Sequence, residues 1–170
     1  MALLAAATTA THAQTSPSVD EVKAAYLHKF AGYIDWPPAA FADPQAPIVI
    51  AVAGADRIYQ ELSRIARGRT VQARPVVVRR ITRPDQIDPS HVLFVGRELW
   101  TDPAGWVERV KAHPIALVTD APRGTQTGAL LTLVEVEDRV RFEASLAAAE
   151  RAGLKLSARL LAVADKVAPP

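Results

Sequence analysis

The segment Pro47 to Ala53 reads PIVIAVA, a continuous apolar run rich in β-branched residues. A strand with one wet face alternates polar and apolar residues. A run without alternation needs cover on both faces, as in a mostly parallel sheet flanked by helices. Gly54-Ala55-Asp56 supplies the turn that follows. From Asp56 to Ala66, Ile58, Leu62 and Ile65 recur at helical spacing. The unit is therefore strand, tight turn, helix, and it sets the pattern for the chain.

The pattern repeats. Val76-Val77-Val78 lies in a strand over roughly Pro75 to Ile81, and Val92 to Val95 (VLFV) is another, ended by Gly96. Pro103 to Ala112 predicts a helix with proline near its first turn and Trp106, Val107 and Val110 on its apolar side. Ile115 to Thr119 (IALVT) predicts a fourth strand. Ala129 to Val136 and Arg139 to Ala144 are separated only by Glu137-Asp138, which is hairpin spacing. Ser145 to Arg151 reads as a helix broken by Gly153. Lys155 to Val167 reads as a second helix carrying Leu156, Leu160, Leu161 and Val163. At the other end, Ser18-Val19-Asp20-Glu21 is a capping box. It opens a helix running to about Ile34, with Val22, Ala25, Tyr26, Phe30 and Tyr33 as its expected buried face. Trp36-Pro37-Pro38 stops it. The fold class is α/β: a three-layer sandwich with a mostly parallel central sheet, a C-terminal antiparallel hairpin and helices packed on both faces. Residues 18–167 form one domain on this reading.

A chain of 170 residues is long enough for one real core. It contains no cysteine, which excludes disulfides, thiolate metal sites and thiol catalysis. The formal charge of +2 and an aromatic content of 6% give no basis for nucleic-acid binding. Ala2 to Ala10 is apolar and rich in small residues, followed by Thr11-His12-Ala13 and then polar Gln14-Thr15-Ser16. Residues 1–13 therefore read as the end of a secretory signal peptide with cleavage after Ala13, although the basic leading region is missing. No apolar run approaches the roughly 20 residues that span a bilayer, so no direct membrane insertion is expected.

Residues that could carry chemistry are sparse. There is no G-x-S-x-G elbow and no H-E-x-x-H motif. His12, His28, His91 and His113 have no metal-ligand spacing and read as structural or surface histidines, with His28 at a solvated edge. No metal, no cofactor and no catalytic residue is expected. Gly54, Asp56, Gly96 and Asp120 lie just past predicted strands, where open parallel sheets bind ligands. They could line a small-molecule or anion cleft. Ordinary turn chemistry is the favoured account of them: glycine for positive φ, and Asp56 as a helix N-cap. From Arg64 to Arg83 there are seven arginines and no acidic residue. This is either a patch for an acidic partner or a charged sheet edge that resists unwanted pairing. Tyr33, Trp36, Pro37, Pro38 and Phe41 form an aromatic-proline cluster, either an interface anchor or a plug seating the helix end.

Three segments in order resemble the YfiR family. The first is Val22-Lys23-Ala24-Ala25-Tyr26-Leu27 through Phe30, Tyr33 and Trp36-Pro37. The second is His91-Val92-Leu93-Phe94-Val95. The third runs from Val140-Arg141-Phe142-Glu143-Ala144-Ser145-Leu146 through Ala148-Ala149 to Gly153-Leu154-Lys155-Leu156-Ser157-Ala158-Arg159-Leu160-Leu161. The resemblance implies a secreted periplasmic regulator, commonly a homodimer. Such a protein binds the periplasmic domain of a membrane diguanylate cyclase and lowers cyclic di-GMP output. It also points to the third segment either as the partner surface, through its polar positions Arg141, Glu143, Ser145, Lys155, Ser157 and Arg159, or as a hairpin–helix unit that holds the fold. Some members carry cysteine pairs that tie activity to oxidation, and this chain has none. A periplasmic solute-binding protein using the strand-end cleft is the alternative.

Overall fold

The computed structural model describes residues 16–170, and the leader assigned to residues 1–13 lies outside them. The first helix, α1 (Val19–Tyr33), begins with the expected capping box: Ser18 accepts from the Glu21 N–H, and Glu21 accepts from the Ser18 N–H. Strand β1 (Ile34–Asp35) follows, then a short 3-10 turn over Pro38–Ala40. The next elements are β2 (Ile48–Ala53), α2 (Asp56–Ala66), β3 (Thr70–Val71), β4 (Arg74–Ile81), β5 (Val92–Val95), α3 (Ala104–Val110) and β6 (Ala116–Thr119). The chain ends with β7 (Leu131–Val136), β8 (Arg139–Ser145), α4 (Leu146–Arg151), β9 (Lys155–Leu156), α5 (Ala158–Ala162) and β10 (Lys166–Ala168).

Eight strands form one sheet in the order β10-β8-β7-β6-β5-β2-β4-β3. All neighbours are parallel except β7 with β8 and β3 with β4. Every residue of β2, β5 and β6 is buried, as the unalternating runs required. Successive side chains point to opposite faces and feed two cores. On one face Ile48, Ile50, Val52, Phe94 and Phe142 meet α1 and α2. On the other, Ala51, Leu93, Val95 and Leu117 meet Trp100, Trp106 and Val110. Phe30 of α1 packs edge-on to Phe142 of β8, with ring centroids 5.1 Å apart.

Four expectations change. The buried face of α1 is Ala24, Leu27, Phe30 and Ala31, together with Lys23, rather than the stripe through Val22 and Tyr33. Alanines let the helix approach the sheet closely, and Tyr33 is left 40% exposed at its end. The continuous helix expected over Lys155 to Val167 is not formed. Leu156 pairs with Ile34, the Ser157 N–H donates to the Tyr33 carbonyl, and the Asp165 N–H donates to the Phe142 carbonyl. Lys166–Ala168 then runs parallel to β8. Only Ala158–Ala162 remains helical, because strands claim the backbone at both ends. A further strand, β3, has no counterpart in the expected elements. Its turn places Gln72 and Ala73 at φ 51° and 61°, without the glycine or asparagine that usually marks such hairpins. Finally, α3 is shorter than the expected Pro103 to Ala112 and has Pro103 as its N-cap.

Candidate functional site

The carboxyl ends of β2, β5 and β6 open into a cleft of about 640 Å³. Gly54, Asp56, Gly96 and Asp120 all line it. Gly96 is there because the strand ends nearly touch, since a Cβ on it would sit 2.4 Å from the Gly54 carbonyl oxygen, and Gly54 takes φ 65° with the Leu99 side chain packed against it. Asp56 is not the expected N-cap. Ala55 holds that position and gives no side-chain cap, while Asp56 is the first helical residue and lies 3.4 Å from Arg80 Nε.

At the base of the cleft lies a charge network that sequence reasoning missed. Lys23 is buried, and its Nζ sits 2.9 Å from Asp120 Oδ2 and 3.3 Å from Glu135 Oε1. Arg97 reaches the same two carboxylates at 3.4 and 3.7 Å, and its backbone N–H donates to Asp120 Oδ1. A lysine is rarely buried without a partner, and this one has two. The pairings join α1 to the ends of β6 and β7. The signal for Lys23 was its adjacency to Ala24 on the stripe formed by Ala24, Leu27 and Ala31, once that stripe is placed correctly. Nothing local in the sequence marks Glu135. Among the described residues no group of three or more His, Asp or Glu side chains could hold a metal ion.

The aromatic-proline cluster sits at the other end of the sheet, where His91 organises it. The Val49 N–H donates to His91 Nδ1 at 3.0 Å, which places the ring proton on Nε2, 3.0 Å from the Ala40 carbonyl. Phe41 stacks on this imidazole, and Trp36 meets it edge-on. Burial holds the His91 pKa below the ordinary histidine value; the Arg74 charge adds to this and the Ala40 bond opposes it. Trp36, which is buried, and Phe41 form a plug around His91, while Tyr33 stays 40% exposed outside it. His28 is half-buried rather than at a solvated edge, and its pKa is lowered first by burial and then by the Arg69 charge.

Five of the seven arginines in the run from 64 to 83 have structural partners. Arg64 pairs with Glu61, Arg80 with Asp56, and Arg83 with Asp85. Arg74 donates to the Asp43 and Ala46 carbonyls, and Arg79 to those of Asp88 and Pro89. Arg74 also lies 3.7 Å above the Phe41 ring.

The C-terminal polar residues do not form one patch. Phe142 faces α1, so Arg141 and Glu143 point to the opposite face of β8, where Glu143 accepts from Thr125. Arg159 lies on the α1 side. It borders a groove of about 360 Å³ with Tyr26, Lys29, Tyr33 and Val163. Lys155 is exposed on β9, opposite Asp35. Ser145 is buried and caps α4 by accepting from the Ala148 N–H. Ser157 caps α5 in the same way, accepting from Leu160. Among the described residues no helix is long and apolar enough to cross a membrane.

Comparison with known families gives one extended match: the model of the YfiR/HmsC-like family covers residues 20–165. No curated protein matches the chain.

Proposed function

This chain belongs to the YfiR/HmsC-like family, and from that membership we propose that it represses a membrane-bound diguanylate cyclase by binding the cyclase's periplasmic sensor domain. The family is known for periplasmic regulators rather than catalysts. The observation that carries the reading is the extent of the match, which takes in α1, the whole sheet except β10, and α5. Repression of this kind is a difference in affinity: the regulator shifts the cyclase only as far as it prefers the inactive state. The action is non-catalytic, periplasmic and homodimeric in this reading, and with no cysteine in the chain it does not respond to thiol reductants.

The groove bordered by Arg159, Lys29 and Tyr33 supports it. Tyr33 is 40% exposed and Val163 65% exposed beside cationic side chains, an apolar anchor site with a charged rim. Of the six polar positions in the terminal segment, Arg141, Glu143, Lys155 and Arg159 are available to a partner. Ser145 and Ser157 act through the helices they cap.

The test is titration of the chain from Gln14 onward against the periplasmic domain of a diguanylate cyclase encoded beside it, with cyclic di-GMP measured when both are expressed. Saturable binding with lowered cyclic di-GMP is expected. Absence of binding at high micromolar concentration would overturn the reading. Light scattering of the chain alone tests the homodimer.

A second reading has one specific observation behind it. Gly54, Asp56, Gly96 and Asp120, grouped from their strand-end positions as a possible cleft, line a single one. A small solute held there would raise the melting temperature in a ligand screen, and the Gly96→Val variant, whose side chain collides with Gly54, would lose that response.

A further inference from the structure

The two edges of the large sheet are finished differently. On the β8 side the outward carbonyls have partners: Phe142 accepts from the Asp165 N–H and Val140 from the Tyr26 hydroxyl. Beyond them β10 covers Glu143 to Ser145. On the β4 side, β3 pairs only with Arg74 and Pro75. The Val76 N–H still reaches outward to the Arg69 carbonyl. Backbone groups on a strand alternate sides, so Val78 and Arg80 point the same way. No backbone group among the described residues receives them.

The surroundings of this open edge are specific. Val77 is 41% exposed on one face of the strand. Arg80 lies on the other face above the Tyr59 ring, with only Asp56 as an ion-pair partner. Arg67 and Arg69, beside the start of β3, are exposed and have no ion pair among the described residues. We propose that the edge of β4 from Val77 to Ile81 accepts an acidic, extended segment of a partner protein as an added strand. Backbone bonds to Val78 and Arg80 supply the pairing. Apolar residues of the incoming strand cover Val77 on one face, and its carboxylates meet Arg80 and Arg69 on the other. A second copy of this edge would bring the same arginines with it, and charge opposes that pairing. The inference is independent of the diguanylate cyclase reading.

A blocked ten-residue peptide of alternating valine and glutamate is the probe, with its valine–lysine counterpart as control. The glutamate peptide is expected to slow amide exchange at Val78 and Arg80. Arg80→Glu and Arg69→Glu are each expected to weaken it about fivefold, the scale of a cross-strand charge pair. Arg69→Glu breaks no side-chain hydrogen bond or ion pair, so it keeps the test decisive should Arg80→Glu disturb the fold. Equal binding of both peptides, or unchanged exchange at the two amides, overturns the proposal. So does protection that grows with protein concentration in the absence of peptide, which would assign the edge to a second copy.

Discussion

The strand-end cleft and the C-terminal segment are built on opposite principles. In the cleft, residues far apart in sequence converge: Lys23, Arg97, Asp120 and Glu135 come from four different parts of the chain and share one charge network. In the C-terminal segment, residues close in sequence are dispersed. Arg141 and Arg159 end on opposite sides of β8, and the serines between them cap helices. Convergence follows from a parallel sheet, whose strands all end on one side. Dispersal follows from strand alternation and from the three changes of element between Ser145 and Ala158.

If the cleft is a coupled unit, its disruption should have the largest effect in the molecule. Asp120→Ala leaves Lys23 buried with a single, more exposed carboxylate and should destabilise by about 3 kcal/mol, read by urea denaturation. A loss below about 1 kcal/mol, the scale of an exposed pair, would show that the network behaves as a surface one. His91 is the next largest. His91→Ala orphans the Val49 N–H and the Ala40 carbonyl and should cost about 2 kcal/mol. The pH dependence has a defined sign. The folded pKa lies below the ordinary 6.5, so the unfolded chain binds the proton more readily. Stability is therefore complete above about pH 6.5 and falls as the pH drops from there through the folded value. His28 contributes in the same direction, so His91→Gln should flatten the acid slope only in part.

The C-terminal segment should give smaller, separable effects. Ser145→Ala and Ser157→Ala should each cost about 1 kcal/mol through lost caps, measured as a shift in denaturation midpoint. Partner affinity should change little in either variant. A large loss of binding without loss of stability would place the serines in the interface. Smallest of all, Arg141→Glu and Arg159→Glu should change stability by no more than about 0.5 kcal/mol. Because they lie on opposite faces, only one should weaken partner binding strongly. Equal losses from both would mean that the partner wraps the edge of β8.

The legible parts of the fold were those dictated by local chemistry. PIVIAVA and VLFV gave buried parallel strands because unalternating apolar runs have no other stable setting. Ser18 and Glu21 gave the helix start because the cap is complete within four residues. The Glu137-Asp138 turn was found by spacing alone, since its residues adopt φ of 49° and 57° without glycine. The same geometry at Gln72-Ala73 was missed because β3 is too short to show a pattern. The helix expected over Lys155 to Val167 failed where Leu160 and Leu161 suggested a period that the flanking backbone did not share. Of the cleft, the four turn residues could be found from their place after strands. Lys23 is legible only once the stripe of Ala24, Leu27 and Ala31 is placed correctly, and Glu135 not at all, because a charged side chain in a hairpin gives no local sign of burial.

What the sequence determined by itself is the α/β class, the covered parallel sheet, the first helix with its cap, and the absence of thiol chemistry. These depend on periodicity, capping and composition, which act within a few residues. The tertiary structure alone decided which charges are buried together, which side of β8 each arginine takes, and which sheet edge stays open. Those outcomes depend on strand order and register, and register is set by the packing of the whole sheet rather than by any one segment of it.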